Sequence, residues 1–178
     1  APLPAASVDL AWSNLALQWC NDLPATFVEL QRVLKVEGLL MFSSFGVETL
    51  KELRIAFADV DGYSHVNRFT DMHDIGDMLV AAGFADPVME MERITLTYND
   101  VRAVMQDLKS IGANNATAGR AAGMMGKAAW QRVEENYEKL RRDGKLPATF
   151  EIIYGHAWKP APKVAQDGRA IIKTDFKL

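Results

Sequence analysis

The chain of 178 residues has one cysteine, Cys20, and three histidines, His65, His73 and His156. A lone cysteine cannot close an internal disulfide, and so few thiols and imidazoles give no ligand set for a metal cage. Cys20 is expected to be a small buried hydrophobe. No apolar run approaches the roughly 18 to 20 residues that span a bilayer, and no charged leader followed by an apolar segment marks a signal peptide. A cytoplasmic protein without membrane contact is therefore expected. A net charge of −3 is too slight to point to a nucleic-acid partner. No G-x-G-x-x-G or shortened equivalent follows any predicted strand, so the glycine turn and helix N-terminus that receive a nucleotide-like cofactor are not found here. There is also no initiator Met, and APLPAAS leads straight into a strand, as though the chain began inside a fold.

What is present is an ordinary globular composition, 49% apolar and 24% charged, enough for one sizeable core. Alternation of Val8, Leu10 and Trp12 with Ser7, Asp9, Ala11 and Ser13 predicts a strand that stops at Ser13-Asn14. In an open α/β sheet, ligands sit beyond the carboxyl ends of strands, which draws attention to Ser13, Asn14 and Leu15. Asp22 is a plausible N-cap for a helix to Leu34, with an apolar face of Val28, Leu30, Val33 and Leu34, ended by Gly38. Gly38 to Gly46 suits a strand covered on both faces, with Ser43-Ser44 at its end on the same rim as Ser13-Asn14. Further helices are predicted over 48–57, from Asp71 to Gly83, over 101–111 and over 127–142, the last ended by Gly144. Asp86-Pro87 reads as a turn, and the phase change at Glu92-Arg93 between two alternating stretches reads as a bulge. Residues 149–158 alternate clearly, with Tyr154 and Trp158 as packing residues and His156 as a satisfied core histidine.

SVDLAWSNLALQWCNDLPATFVELQRVLKVEGLLMFSSFG resembles the second half of a class I S-adenosylmethionine-dependent methyltransferase. DMHDIGDMLVAAGF, ITLTYNDVRAVMQDLKSIGANNATAGR and LPATFEIIYGHAWKP, in that order, resemble the malonyl-acyl-carrier-protein O-methyltransferases of biotin biosynthesis. The resemblance covers about Pro2 to Pro160 and is most specific in LKSIGANNATAGR. It implies an α/β fold, the C-terminal part of a Rossmann-like class I methyltransferase sheet from the fourth strand onward, with an inserted helical subdomain. Residues 1–98 and 148–160 would form the sheet and its flanking helices, 99–147 the helical cap, and 161–178 a flexible tail. S-adenosylmethionine would be the methyl donor, with Ser13, Asn14 and Leu15 as the distal wall of its site. The acceptor would be the free carboxylate of malonyl-acyl carrier protein.

A carboxylate with a pKa near 4 is already ionised at neutral pH, so no catalytic base is sought. A cation that grips the carboxylate is needed, and arginine's planar fork does this best. Arg120, closing the GANNATAGR segment, is the first candidate, and Arg68 the second. Between Arg102 and Lys145 there are nine Lys or Arg and five Asp or Glu, a surplus of four positive charges, so the remainder carries −7. Carrier proteins are acidic, and Lys127, Arg132, Arg141, Arg142 and Lys145 could steer one to the site. The alternative for these residues is a solvated helix face with local ion pairs. Two other functions stay open: a protein-modifying enzyme of the same fold, such as the complex I assembly factors, and a non-catalytic interaction module. Without a neighbour on one side, the strand at Val8 to Trp12 would also be free to pair with a second copy.

Overall fold

The computed structural model describes residues 3–61, 63, 65–110 and 125–162. Four strands, β1 (Val8–Asn14), β2 (Leu34–Phe45), β3 (Ala85–Tyr98) and β4 (Leu146–Trp158), form one sheet in the order β1-β2-β4-β3. The helices are α1 (Leu23–Val33), α2 (Lys51–Phe57), α3 (Met72–Ala81), α4 (Val101–Ser110) and α5 (Lys127–Glu138). By its contacts the chain divides into two compact units, residues 1–42, 73–89 and 155–178, and residues 43–72 and 90–154. Of the tail expected over 161–178, residues 163–178 lie outside the described residues.

In the first unit, Asp22 caps α1 as its sequence suggests, its side chain accepting from the Ala25 N–H at 2.9 Å. The inward face of α1 differs from expectation. Phe27 and Val33 are buried and Val28 is exposed, with the Phe27 ring centroid 5.9 Å from that of Phe42 on β2. Gly38 does not end the helix; α1 stops at Val33 and β2 already begins at Leu34, which is fully buried. Cys20 is exposed, contrary to its expected burial, because the short 3-10 turn Leu17–Trp19 buries Leu17 and leaves the chain after it at the surface. α3 ends as predicted at Gly83, whose φ of +89° is a left-handed conformation that glycine adopts without strain.

Asp86-Pro87 is not a turn. Both residues lie within β3, where Asp86 alone takes a positive φ of 48°. β3 is last in the strand order, and proline's missing donor is tolerated on an edge strand. On β4 the packed face is the opposite of the predicted one: Glu151, Ile153, Gly155 and Ala157 are buried, whereas Tyr154 and Trp158 are exposed. The reason is crowding at Gly155, where a Cβ would lie 2.3 Å from a Phe42 ring carbon and 2.9 Å from the Met89 sulfur. Alternation identifies the strand, but side-chain bulk marks the wrong side of it.

The second unit holds a core in which α2, α4 and α5 bury Leu53, Phe57, Val104, Leu108, Val133 and Tyr137. Tyr137 donates its hydroxyl hydrogen to the Pro147 carbonyl at 2.9 Å, and the Asn136 amide of α5 donates to the Ala56 carbonyl of α2 at 3.2 Å. Phe45 at the end of β2 lies against Phe69 and Phe150, with centroids 5.6 and 6.0 Å away. α2 is tied to β4 through a buried carboxylate: Glu52 accepts from the Thr149 N–H at 2.9 Å and from its hydroxyl at 2.5 Å. α5 is shorter than predicted, ending at Glu138 rather than near Arg142. Beyond it the chain reverses in a tight two-residue turn. Asp143 and Gly144 have φ of 48° and 73°, and Arg142 and Lys145 exchange backbone hydrogen bonds of 2.8 and 2.9 Å across them. Positive φ at both central positions is the signature of a type I′ hairpin turn, for which Asp-Gly is a preferred pair.

Candidate functional site

β1 delivers Ser13 and Asn14 to its carboxyl end, and Leu15 then turns the chain with a φ of 47°. The Gln18 side chain donates to the Leu15 carbonyl at 2.5 Å and fixes that turn, while Leu17 anchors it below. Ser13 is half-buried and Asn14 exposed, so the strand end offers a hydroxyl and an amide beside an apolar side chain. Ser43 and Ser44, expected as a second polar lining, are both buried at 5% exposure and are not open to a ligand.

Of the two candidate arginines for a carboxylate, Arg68 is an exposed residue of the 59–69 loop. Arg120 lies outside the described residues. Among the five basic candidates, Lys127 begins α5 and is exposed, as is Arg132. Arg141 is occupied differently: its guanidinium holds both Glu138 oxygens at 2.7 and 2.5 Å, the Gly144 carbonyl at 2.8 Å and the Asn99 carbonyl at 3.0 Å. That hydrogen bonding keeps the Glu138 carboxyl below its usual range and raises Arg141. Arg141 is therefore a clamp on the turn. Arg142 and Lys145 remain exposed beyond it.

These two residues border a cavity of about 410 Å³ within the second unit. Its walls also include Lys51 of α2 and Arg93, Thr95 and Thr97 of β3, with Glu52 and Asp143 as the acidic members. Alternation puts Arg93, Thr95 and Thr97 on one face of the strand. Lys51 and Arg93 have carboxylate partners: Lys51 meets Glu48 at 2.8 Å, which holds the Glu48 carboxyl down, and Arg93 approaches the buried Glu151 at 3.4 Å. Sequence reasoning does not reveal Lys51 or Arg93 as members of such a group. They lie 42 and more residues apart from each other and from the turn, and no local pattern links them. The Asp-Gly pair is the one available signal.

A family model described as "Methyltransferase domain" matches residues 1–42. Over 177 residues the chain is 75% identical to a malonyl-[acyl-carrier protein] O-methyltransferase of Gallionella capsiferriformans, covering 99% of this chain and 61% of that protein. A protein of the same name from Laribacter hongkongensis is 61% identical over 175 residues, 97% of this chain and 59% of the relative. The chain thus spans about three fifths of the length of these curated relatives. Among solved structures, the YcgJ protein of Bacillus subtilis superposes with a TM-score of 0.58 at 14% identity, covering 91% of this chain and 68% of that one. A Bacillus halodurans structure titled as a methyltransferase gives 0.56 at 19% identity, covering 90% and 68%. The sheet and helices are those of the Rossmann-like methyltransferase fold, and along nearly its whole length the chain is similar to the malonyl-[acyl-carrier protein] O-methyltransferases.

Proposed function

We propose that the chain is part of an S-adenosylmethionine-dependent enzyme that O-methylates the free carboxylate of malonyl-acyl carrier protein, as in biotin biosynthesis. The 75% identity to a relative of that name carries the proposal. Bound S-adenosylmethionine would supply an electrophilic methyl group, and Ser13, Asn14 and Leu15 are the residues here that would hold it. The fit rests on the strand-end turn, which presents polar groups beside Leu15. The acceptor carboxylate is ionised at neutral pH, so the protein's task is alignment and exclusion of water. Orientation alone can lower a barrier by roughly 7 to 11 kcal/mol in favourable cases. Arg120 and Arg68 are the proposed grips for the carboxylate. Exposed Lys127, Arg132, Arg142 and Lys145 would steer the acidic carrier, with Arg141 holding the turn that carries two of them.

The test is complementation of a biotin auxotroph lacking its own malonyl carrier-protein methyltransferase by the complete gene, with labelled methyl transfer to malonyl-acyl carrier protein measured on its product. Growth without biotin and label in an ester are expected. Label on a protein side chain, or no transfer at all, would overturn the proposal in favour of a protein-modifying enzyme or an interaction module.

A second copy of the chain is a further proposed partner. β1 stands at one end of the strand order, with Leu10 and Trp12 54% and 71% exposed. Free backbone donors and acceptors beside apolar side chains are a template for strand pairing. Light scattering on the 178-residue chain is expected to give a concentration-dependent rise toward the dimer mass, abolished by Trp12→Lys. A monomer mass at every concentration would remove this partner.

A further inference from the structure

Arg142 and Lys145 are directly opposed across the Asp143-Gly144 turn and exchange both backbone hydrogen bonds. Directly opposed residues of such a pair project to the same side, and like charges there destabilise the pairing. Nothing among the described residues offsets that repulsion with a charge of opposite sign in contact. The Lys145 ammonium donates to the neutral Asn99 side-chain oxygen at 2.5 Å, and no ion pair among the described residues involves Arg142. Both residues border the cavity, whose walls carry four cations and two carboxylates. Of the four cations, Lys51 already meets Glu48 and Arg93 approaches Glu151, which leaves Arg142 and Lys145 without a carboxylate partner among the described residues.

We infer that this cavity binds the phosphoryl group of an organic phosphate ester, with Arg142 and Lys145 as its principal ligands. A carboxylate has two oxygens and is satisfied by a single arginine fork. A phosphodiester also carries two charged oxygens, but they diverge from a tetrahedral phosphorus that bears two further ester oxygens, which suits an arginine and a lysine on one turn with the Thr95 and Thr97 hydroxyls of β3 in the walls of the same cavity. About 410 Å³ is within the range of small-molecule pockets and exceeds what the anion alone would occupy. Ile55, Leu140 and Pro147 give the remaining space apolar walls for an organic chain. If the proposed carrier-protein substrate is right, the ester is the phosphodiester by which the carrier holds its pantetheine arm, and that identification rests on the proposed function.

The experiment is calorimetric titration of the 178-residue chain at low ionic strength with 4′-phosphopantetheine, pantetheine and inorganic phosphate, without S-adenosylmethionine. The phosphorylated arm is expected to bind at least tenfold more tightly than pantetheine. Arg142→Gln combined with Lys145→Gln should weaken it at least tenfold, leaving the circular dichroism spectrum unchanged because both side chains are exposed. Inorganic phosphate binding as tightly as the ester, and lost in the same double variant, would assign the site to free phosphate and overturn the organic ester. Absence of binding by all three, or binding that the double variant leaves intact, would overturn the site itself. Methyl transfer is not read in this experiment. A chain that binds the arm while the complete enzyme fails to methylate would sink only the enzymatic reading, and the reverse result would sink only the cavity.

Discussion

Tyr137→Ala is expected to lower the free energy of unfolding by about 3 to 5 kcal/mol, the range for removing a large aromatic from a core. The side chain is fully buried among Leu53, Val104, Val133 and Leu146 of the second unit's core, and its hydroxyl is matched to the Pro147 carbonyl. Most of the loss comes from the cavity left between the helices. Tyr137→Phe, which removes only the hydroxyl, should cost about 1 kcal/mol. Urea denaturation followed by circular dichroism measures both, and a loss under about 1 kcal/mol for the alanine variant would show that the core closes over the gap. The same tyrosine gives an alkaline signature. Burial, followed by the nearby Glu52 charge, raises its phenol well above the ordinary value of about 10. The unfolded chain ionises first, so this contribution is intact below about pH 10 and is lost as pH rises beyond it. Tyr98, raised to about 12 by burial and by Asp107, acts in the same direction.

Glu52→Ala should cost about 2 to 4 kcal/mol. Hydrogen bonds to a charged acceptor contribute roughly 1.5 to 3 kcal/mol each, and a buried donor left without a partner adds its own desolvation cost. Here one substitution orphans both the Thr149 N–H and its hydroxyl, in a residue only 5% exposed. A double-mutant cycle with Thr149→Val isolates the side-chain part. A coupling between the two positions of roughly 1 to 3 kcal/mol is expected for residues in direct contact. Additive losses would mean that the carboxylate acts elsewhere, for instance on the cavity that it borders.

Much of the fold is legible locally. The Asp22 cap, the glycine stop at Gly83 and the alternation in β1 and β4 depend on neighbours within a few residues, and each stands where the pattern puts it. Errors arise where the deciding contact comes from elsewhere. Which face of β4 is packed depends on Phe42 and Met89, so Tyr154 and Trp158 read as core and are exposed. Residue type alone puts Cys20 inside, whereas its exposure comes from Leu17 holding the preceding turn. The candidate site divides in the same way. Ser13 to Leu15 and the paired Arg142 and Lys145 are products of a strand end and an Asp-Gly turn. Arg93 and Lys51 join the latter pair through tertiary packing that no sequence window contains.

The two rims of the sheet differ in what they allow to grow. β3 has a proline at position 87, an isolated positive φ at Asp86 and the charged run Glu90, Glu92 and Arg93, all of which discourage a neighbour from adding. β1 has a single acidic residue, Asp9, whose charge is already met by Lys35 at 2.8 Å. Joining β1 to β3 of the next molecule would leave a free rim at each end and build a filament without limit. Joining β1 to β1 in antiparallel fashion uses both open rims at once and closes after two copies. With β3 guarded, the self-association proposed for this chain would be finite, a twofold pair rather than a fibre.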